Sequence, residues 1–97
     1  MTRSIHRFAS EDLLEAGRRY KQEAGIGLTR RFPNEFERAI KLLEEFPGIG
    51  TPTSDGRQSF PLVGFPYTVI YRHLGSEIRV LVVRHQSRDP DYREKRR

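Results

Sequence analysis

Two runs of β-branched and aromatic residues separated by a short break dominate the hydrophobic pattern of the chain. Residues 67–73 (YTVIYRH) form the first run and residues 77–84 (EIRVLVVR) the second, with Leu-Gly-Ser at 74–76 between them. Val, Ile and Tyr favour extended backbone, and a glycine-containing break between two such runs favours a tight connection. The pattern therefore predicts a β-hairpin around which the rest of the chain is organised.

The second run of the hairpin is apolar on both faces. A strand alternates its side chains with a period of two, which predicts that Ile78, Val80 and Val82 point to one face. Leu81 and Val83 then point to the opposite face. Apolar side chains on both faces predict an interior strand, covered on at least one face by another layer.

An alternating segment near the N-terminus predicts a first strand that leads into a first helix. Residues 4–8 (SIHRF) alternate in polarity. Ser10 is followed by two acidic residues, a pattern typical of an N-cap and a first helical turn. Apolar residues then recur every three or four positions up to Gly25, a typical helix stop. We expect a strand over residues 4–8 and a helix over residues 11–24.

A second helix is predicted from Leu28 or Thr29 to Phe46. Its apolar stripe has spacings of three and four and consists of Phe32, Phe36, Ala39, Ile40, Leu43 and Phe46. Pro33 would cost about 3 kcal/mol deep inside a helix, so the pattern places it in or just past the first turn. The short connection at residues 25–27 predicts an antiparallel helical hairpin whose two stripes face the sheet.

Prolines and glycines mark residues 47–56 as a loop, after which residues 57–63 predict a strand. Pro61 lacks a backbone N–H and is expected at a sheet edge or a bulge. The predicted fold class is α+β with the order β-α-α-β-β-β, in which the helical hairpin packs on one face of a small, mainly antiparallel sheet. The other face of the sheet stays open.

Composition limits the chain to one small domain with a basic surface. We expect residues 1–97 to form a single domain with a short basic tail from about residue 86. The net charge of +5 and isoelectric point near 10.1 indicate an anionic partner, and a basic surface that only maintains solubility is the alternative. The absence of cysteine, of an apolar N-terminal segment and of a stretch of about 20 apolar residues favours a cytoplasmic protein without membrane contact.

Basic residues of the predicted sheet and tail are the candidate binding groups. Arg57, Arg72 and Arg79 are expected on the open face, with strand register deciding which of them project from it. A phosphate or RNA site would combine Arg57, Arg72, His85, Arg88 and Tyr92.

Each of those five residue types has a role in such a site. The arginines would bind phosphate and stabilise developing charge, His85 would act as a general acid or base, and Tyr92 would stack on a base or donate a proton. Each residue also has a structural alternative. An arginine on a strand is often solvated or ion-paired, His85 would cap or pack, and Tyr92 would attach the tail to the sheet.

Other chemistries have no matching pattern in the chain. His6, His73 and His85 do not have the short spacing of metal ligands, so we expect no metal site. No glycine-rich phosphate loop precedes a helix and no nucleophile elbow is present. We therefore expect no cofactor.

Several short motifs, taken in order along the chain, resemble the ParE/RelE toxin superfamily. They extend from about residue 4 to residue 93 and comprise Asp12-Leu13, residues 36–43 (FERAIKLL), residues 46–50 (FPGIG), residues 65–67 (FPY) with Ile70-Tyr71, and residues 85–90 (HQSRDP) with Tyr92. The order and spacing of the motifs carry the resemblance. It implies the same β-α-α-β-β-β fold and the toxin half of a type II toxin–antitoxin system, held inactive by an acidic antitoxin.

Two activities occur in the superfamily, and the motifs are closer to the ParE branch. RelE-like members cleave mRNA in the ribosome with a cluster of basic residues, whereas ParE-like members poison DNA gyrase and are not nucleases. The FPY motif and the H-x-x-R-D-P ending look like ParE. RelE-type nucleases often carry an arginine where this chain has Thr68, although Arg88 matches an arginine found in both branches.

Three functional hypotheses follow. The first is a gyrase poison that acts by binding and contacts its target through Arg84, His85, Arg88, Tyr92 and Arg93. The second is a ribosome-dependent mRNA endoribonuclease that uses the phosphate or RNA site as its catalytic centre. The third is a basic nucleic-acid-binding module without toxicity. In the first two, the expected protein partner is a cognate antitoxin whose acidic segment folds on binding.

Overall fold

The computed structural model describes the backbone of residues 2–24 and 26–86, and the side chains of the same residues except 20–29. Two helices are followed by most of the sheet. The elements are β1 (Thr2–Ile5), α1 (Arg7–Ala24), α2 (Ile26–Glu45), β2 (Thr51–Pro52), a 3-10 turn (Ser54–Gly56), β3 (Gln58–Pro61), β4 (Tyr67–Leu74) and β5 (Glu77–His85).

The five strands form one mixed sheet in the order β1-β5-β4-β3-β2. β1 is parallel to β5, and the other neighbours are antiparallel. The predicted α+β class, with a helical hairpin packed on a mainly antiparallel sheet, is confirmed. The sequence pattern missed β2, because two residues within a loop rich in proline and glycine give no periodicity. None of the described helices combines the length and hydropathy needed to cross a bilayer.

The predicted hairpin forms within a residue of its expected bounds. β4 and β5 are joined at Gly75, whose φ of 57° is in the left-handed region that glycine enters without steric cost. β5 pairs with β1 on one side and with β4 on the other, so it is the interior strand that its apolar pattern predicts.

A β-bulge in β5 changes the face assignment of its last apolar residues. Ile70 pairs with Val82 and Tyr71 pairs with Val80, so Leu81 is the extra residue. Beyond the bulge the alternation is reset. Val82 therefore joins Leu81 and Ile70 on the open face, and Val83 joins the core beneath the helices. The strict period of two had predicted the reverse for Val82 and Val83, which is wrong for this reason.

α1 begins four residues earlier than the pattern predicted, and His6 is its cap. The Nδ1 atom of His6 accepts a hydrogen bond of 3.1 Å from the backbone N–H of Phe8, and the His6 carbonyl accepts the N–H of Ser10 at 3.1 Å. These are the two bonds that define an N-cap residue. The predictions of Ser10 as the cap and of a strand extending to Phe8 are therefore wrong. Histidine is uncommon at the N-cap position. The alternating polarity of residues 4–8 (SIHRF) is also typical of a strand, so the sequence pattern did not indicate the cap.

α2 also begins earlier than predicted, which places Pro33 inside it. The helix starts at Ile26 and ends at Glu45, so Pro33 is well past the first turn and Phe46 lies outside. The cost of about 3 kcal/mol for an interior proline is outweighed by the apolar stripe. Burying each large apolar side chain stabilises the fold by about 1.5–3 kcal/mol. The buried stripe residues are Phe32, Phe36, Ala39, Ile40 and Leu43.

Arg3 fixes the edge strand β1 to α2. Its Nη1 atom donates to Glu37 at 2.8 Å, and its Nη2 atom also bonds Glu44. The hydrogen bond to Glu37 is the main reason that the pKa of Arg3 is raised, and the same bond lowers the pKa of Glu37. Because Arg3 and Ile5 face the helices, Thr2 and Ser4 lie on the open face of the sheet.

Candidate functional site

Three arginines lie side by side on the open face of the sheet, two of them on adjacent strands and one at the residue that precedes the next strand. Arg72 of β4 pairs directly with Arg79 of β5. Arg57 immediately precedes Gln58, whose partner is Tyr71, so Arg57 is the next neighbour of Arg72 across the sheet. The face is assigned by Tyr71, which belongs to the core beneath the helices, because successive strand residues point to opposite faces. We call Arg57, Arg72 and Arg79 the arginine row.

The members of the arginine row differ in exposure. Arg57 is only 4% exposed, whereas Arg72 and Arg79 are half-buried. Strand register was expected to decide which of the three project from the open face. Arg72 on β4 and Arg79 on β5 do so, whereas Arg57 is buried.

The 3-10 turn fixes the position of Arg72. Its Nη1 atom donates a hydrogen bond to the backbone carbonyl of Asp55. Gly56 is packed against the same nitrogen, since a Cβ added to this glycine would lie 3.2 Å from Nη1, and its φ is 74°. The acceptor is a neutral carbonyl, so the turn orients the guanidinium without cancelling its charge.

No ion pair formed within the described residues includes Arg72 or Arg79. Glu77 shares their face, two positions before Arg79, and makes no ion pair with it in this part of the chain. Directly opposed residues in antiparallel strands have Cβ atoms about 4.5–5.5 Å apart, and like charges at this position are destabilising. Arg72 and Arg79 therefore concentrate positive charge that no ion pair within the described residues neutralises.

The far end of the open face carries Arg84, which pairs with Thr68. Between Arg84 and the arginine row lies an apolar floor formed by Ile70, Leu81 and Val82, each no more than 2% exposed. These three side chains are covered and offer little contact area to a partner, and the partly accessible cations near them are Arg72, Arg79 and Arg84.

His85 lies on the opposite side of the sheet from the arginine row. It pairs with Tyr67, and the two rings are in edge contact with centroids 5.0 Å apart. A small cavity between α1 and the end of β5 is lined by His85 together with Asp12 and Glu15. Asp12 is 5% exposed, and its Oδ2 atom accepts the backbone N–H of Val83 at 3.1 Å. The packing role proposed as the alternative for His85 matches these surroundings.

Among the described members of the predicted phosphate or RNA site, His85 therefore does not lie together with Arg57 and Arg72. Tyr67, the partner of His85, and Arg72 are five positions apart along β4, which corresponds to about 17 Å between their Cα atoms at about 3.3 Å per residue. The two groups also face different sides of the sheet. Arg88, Tyr92 and Arg93 lie outside the described residues, so their predicted roles stay predictions. Within the described residues, no group of three or more His, Asp or Glu side chains is arranged to hold a metal ion.

Sequence reasoning missed a second surface, a groove beside α2. It has a volume of about 390 Å³ and is lined by Arg31, Asn34, Glu35, Arg38, Val63 and Phe65. Val63 is 69% exposed at its rim. Arg31, Asn34 and Arg38 recur at helical spacing, which places them on one face of α2. In the sequence, the groove was indicated only by that helical spacing and by the apolar Val63 next to a turn.

Glu35 closes the groove by joining α2 to the loop between β3 and β4. Its Oε2 atom accepts the Val63 N–H at 2.7 Å, and Arg38 donates to both carboxylate oxygens at 2.7 and 2.8 Å. The hydrogen bonds from Arg38 are the main reason that the pKa of Glu35 is lowered. The carboxylate is therefore ionised at neutral pH and holds the loop on the helix.

Comparison with known proteins places the chain among toxins of type II systems. A family model described as "ParE toxin of type II toxin-antitoxin system, parDE" matches residues 4–90. A solved structure entitled "Chromosomal ParDE TA system from P. aeruginosa" is similar with a TM-score of 0.78 and 23% identity, over 88% of this chain and 95% of that chain. A search of curated proteins found no match.

Proposed function

Since the chain belongs to the ParE toxin family of type II toxin–antitoxin systems, we propose that it arrests growth by binding and poisoning DNA gyrase. We further propose that a cognate antitoxin neutralises it. In this proposal the toxin acts by binding rather than by catalysis. The target contacts are those predicted at the end of β5 and in the residues that follow, namely Arg84, His85, Arg88, Tyr92 and Arg93.

The observation that carries this proposal is the separation of His85 from the arginine row. A nuclease needs its general base within hydrogen-bond reach of the attacking hydroxyl, with the arginines on the phosphate being attacked. A base whose strand partner, Tyr67, is five positions from Arg72, and which lies on the other face of the sheet, does not meet that requirement. A protein that only binds has no such requirement, because its contact residues can be spread over a surface.

A second candidate function is ribosome-dependent mRNA cleavage. The observation in its favour is the arginine row, since Arg72 and Arg79 are well placed to bind a phosphate. It requires a general acid or base other than His85. A basic nucleic-acid-binding module without toxicity is the third candidate and rests on the net charge of +5.

Induced expression with separate readouts of DNA and RNA distinguishes the three candidates. We expect growth arrest, covalent gyrase–DNA complexes detected after detergent lysis, and intact transcripts by primer extension. Cleavage of ribosome-bound mRNA without gyrase complexes would replace the gyrase proposal with the nuclease candidate. Normal growth with neither gyrase–DNA complexes nor mRNA cleavage would favour the nucleic-acid-binding module without toxicity.

A substitution of Arg88 tests the proposed target contacts. Arg88→Ala is expected to relieve toxicity. The melting temperature should be nearly unchanged if the residue is exposed, because exposed substitutions usually change the free energy of unfolding by no more than about 0.5 kcal/mol. Full toxicity of this variant at equal expression would remove Arg88 from the contact surface.

A further inference from the structure

The open face of the sheet carries a feature that the proposed toxin–gyrase contact does not explain. Arg72 and Arg79 are directly opposed, and Arg57, which precedes β3, is the next neighbour of Arg72 across the sheet. Opposed like charges cost stability, and within the described residues no carboxylate is ion-paired with Arg72 or Arg79. An arrangement that is unfavourable by itself becomes favourable when an anion bridges the two guanidinium groups.

We propose that the arginine row is a binding site for the phosphodiester backbone of duplex DNA. The arginine fork matches the oxygens of a phosphate group, and the 3-10 turn already holds Arg72 in place through the Asp55 carbonyl. DNA binding by the arginine row does not depend on the proposed function. Its biological role does rest on that function, because the toxin would then contact the DNA held by gyrase as well as gyrase itself.

The chemistry of the face distinguishes duplex DNA from single-stranded nucleic acid. Proteins that bind single strands stack bases on aromatic side chains. The aromatic residues of the described strands, Phe60, Tyr67 and Tyr71, all belong to the core on the helix side of the sheet. In the part of the chain that the structure describes, this face carries guanidinium groups and no aromatic ring, which fits the outside of a duplex, where phosphates are presented and bases are not.

The same face is a poor match for an acidic protein segment. Such a segment obtains most of its binding energy from apolar anchors in pockets, and charges mainly speed association. Here the apolar floor of Ile70, Leu81 and Val82 is at most 2% exposed. Leu74, at the hairpin tip, is exposed on this face, whereas exposed Leu14 and Val63 lie on α1 and beside α2. Anchors for a protein are therefore concentrated on the other side of the molecule.

The test is binding of the purified chain to a fluorescein-labelled 20-base-pair duplex, measured by polarisation over a series of salt concentrations. The variants are Arg72→Gln and Arg79→Gln. Arg18→Gln, an exposed arginine of α1, removes the same charge and is the matched control. Each phosphate contact contributes about −0.9 to the slope of log affinity against log salt. We expect each row variant to reduce that slope by about one and to weaken binding about fivefold at 0.15 M salt.

Three results would overturn the proposal. Equal losses in Arg18→Gln and Arg79→Gln would mean that diffuse net charge attracts DNA. Unchanged DNA binding in both row variants, with loss of binding to a labelled poly-glutamate peptide, would assign the face to an acidic protein. Stronger binding to a single strand than to the duplex would assign it to RNA or unpaired DNA. The Arg79 side chain makes no hydrogen bond within the described residues, so Arg79→Gln is expected to fold even if Arg72→Gln disturbs the 3-10 turn.

Gyrase cleavage assays with the same preparations separate this inference from the proposed function. If the wild-type chain traps gyrase–DNA complexes but the row variants bind DNA normally, only the DNA-backbone site fails. If the wild-type chain binds duplex DNA through the row and traps no complexes, the site stands and the gyrase proposal fails.

Discussion

At the scale of single residues, the Tyr71 hydroxyl joins the sheet to the loop that follows α2. It accepts the Gly50 N–H at 3.1 Å and donates to the Pro47 carbonyl at 2.8 Å. Burial raises the pKa of the phenol, so the hydroxyl remains a donor at neutral pH. The FPGIG motif at residues 46–50 is explained by this contact, because only a glycine at position 50 leaves room for the tyrosine.

Gly50→Ala tests this close approach. An added Cβ would lie 2.4 Å from the Tyr71 hydroxyl oxygen and 3.0 Å from the Ser59 carbonyl oxygen. We expect a loss of about 1–3 kcal/mol in the free energy of unfolding, the usual cost of overpacking, measured by urea titration. The matched control is Gly48→Ala, where a Cβ would meet nothing within 4 Å. Equal effects of the two substitutions would show that loop entropy, and not the tyrosine, decides the outcome.

The histidine cap of α1 makes a second prediction at this scale. His6→Ala removes the acceptor for the Phe8 N–H and is expected to cost about 0.5–2 kcal/mol of unfolding free energy. His6→Asn supplies a short side-chain acceptor and should recover most of that loss. If the asparagine variant is as unstable as the alanine variant, the contact of the His6 ring with Phe8, at 5.1 Å between centroids, matters more than the cap.

At the scale of elements, the edge strand β1 is held by two different interactions. Its backbone pairs in parallel with β5, and Arg3 bonds Glu37 and Glu44 on α2. Four residues of edge strand bury little surface, so a side-chain attachment to the helix layer is a meaningful part of what keeps β1 in the sheet. Each pair is partly exposed, which limits its contribution to about 1 kcal/mol or less.

Arg3→Gln tests this attachment through its pH dependence. The lowered pKa of Glu37 means that its contribution is present above the unfolded pKa, about 4.3, and is lost as pH falls through the lower folded value. Urea unfolding should therefore show a less stable variant at pH 7 and a smaller difference from wild type at pH 3. Arg18→Gln, which makes no ion pair within the described residues, should show neither effect. A difference that is equal at both pH values would assign the role of Arg3 to packing.

At the scale of the whole molecule, the two layers present surfaces of different chemistry. The open face of the sheet carries partly accessible arginines, whereas the helix layer and its adjoining loop carry a groove with an exposed Val63 at its rim. A groove with an apolar rim and arginines fits an acidic segment with apolar anchors, which is the proposed antitoxin. Because the open face and the groove are separate, a substitution on one surface should leave binding at the other unchanged.

Val63→Asp is expected to weaken the proposed antitoxin complex. With a cognate antitoxin, stopped-flow measurements should show dissociation about tenfold faster, because truncating a central anchor residue costs more than about 1 kcal/mol of binding free energy. Raising salt should slow association more than it speeds dissociation. Leu74→Asp, the same kind of change at the hairpin tip, is the control. Equal effects at both positions would exclude the groove as the docking site, and a salt-independent association rate would exclude electrostatic steering.

Local patterns in the sequence were enough to determine the α+β order, the hairpin and the apolar stripe of α2. Strand alternation and helical spacing are properties of neighbouring residues, so residues 67–84 and 32–43 carry them without reference to the rest of the chain. The motifs quoted for the ParE/RelE resemblance identified the family for the same reason, since their order along the chain is itself a sequence property.

The tertiary structure decided what depends on partners distant in sequence. The bulge at Leu81 reversed the faces of Val82 and Val83, because register is set between strands and not within one. His6 became a cap, and Pro33 stayed inside α2 because the burial of its neighbours offsets its cost. His85 is separated from Arg57 and Arg72 for the same reason. Residue types suggested that His85, Arg57 and Arg72 act together, but only the pairing of β4 with β5 and its contacts with α1 determine which side of the sheet each one faces.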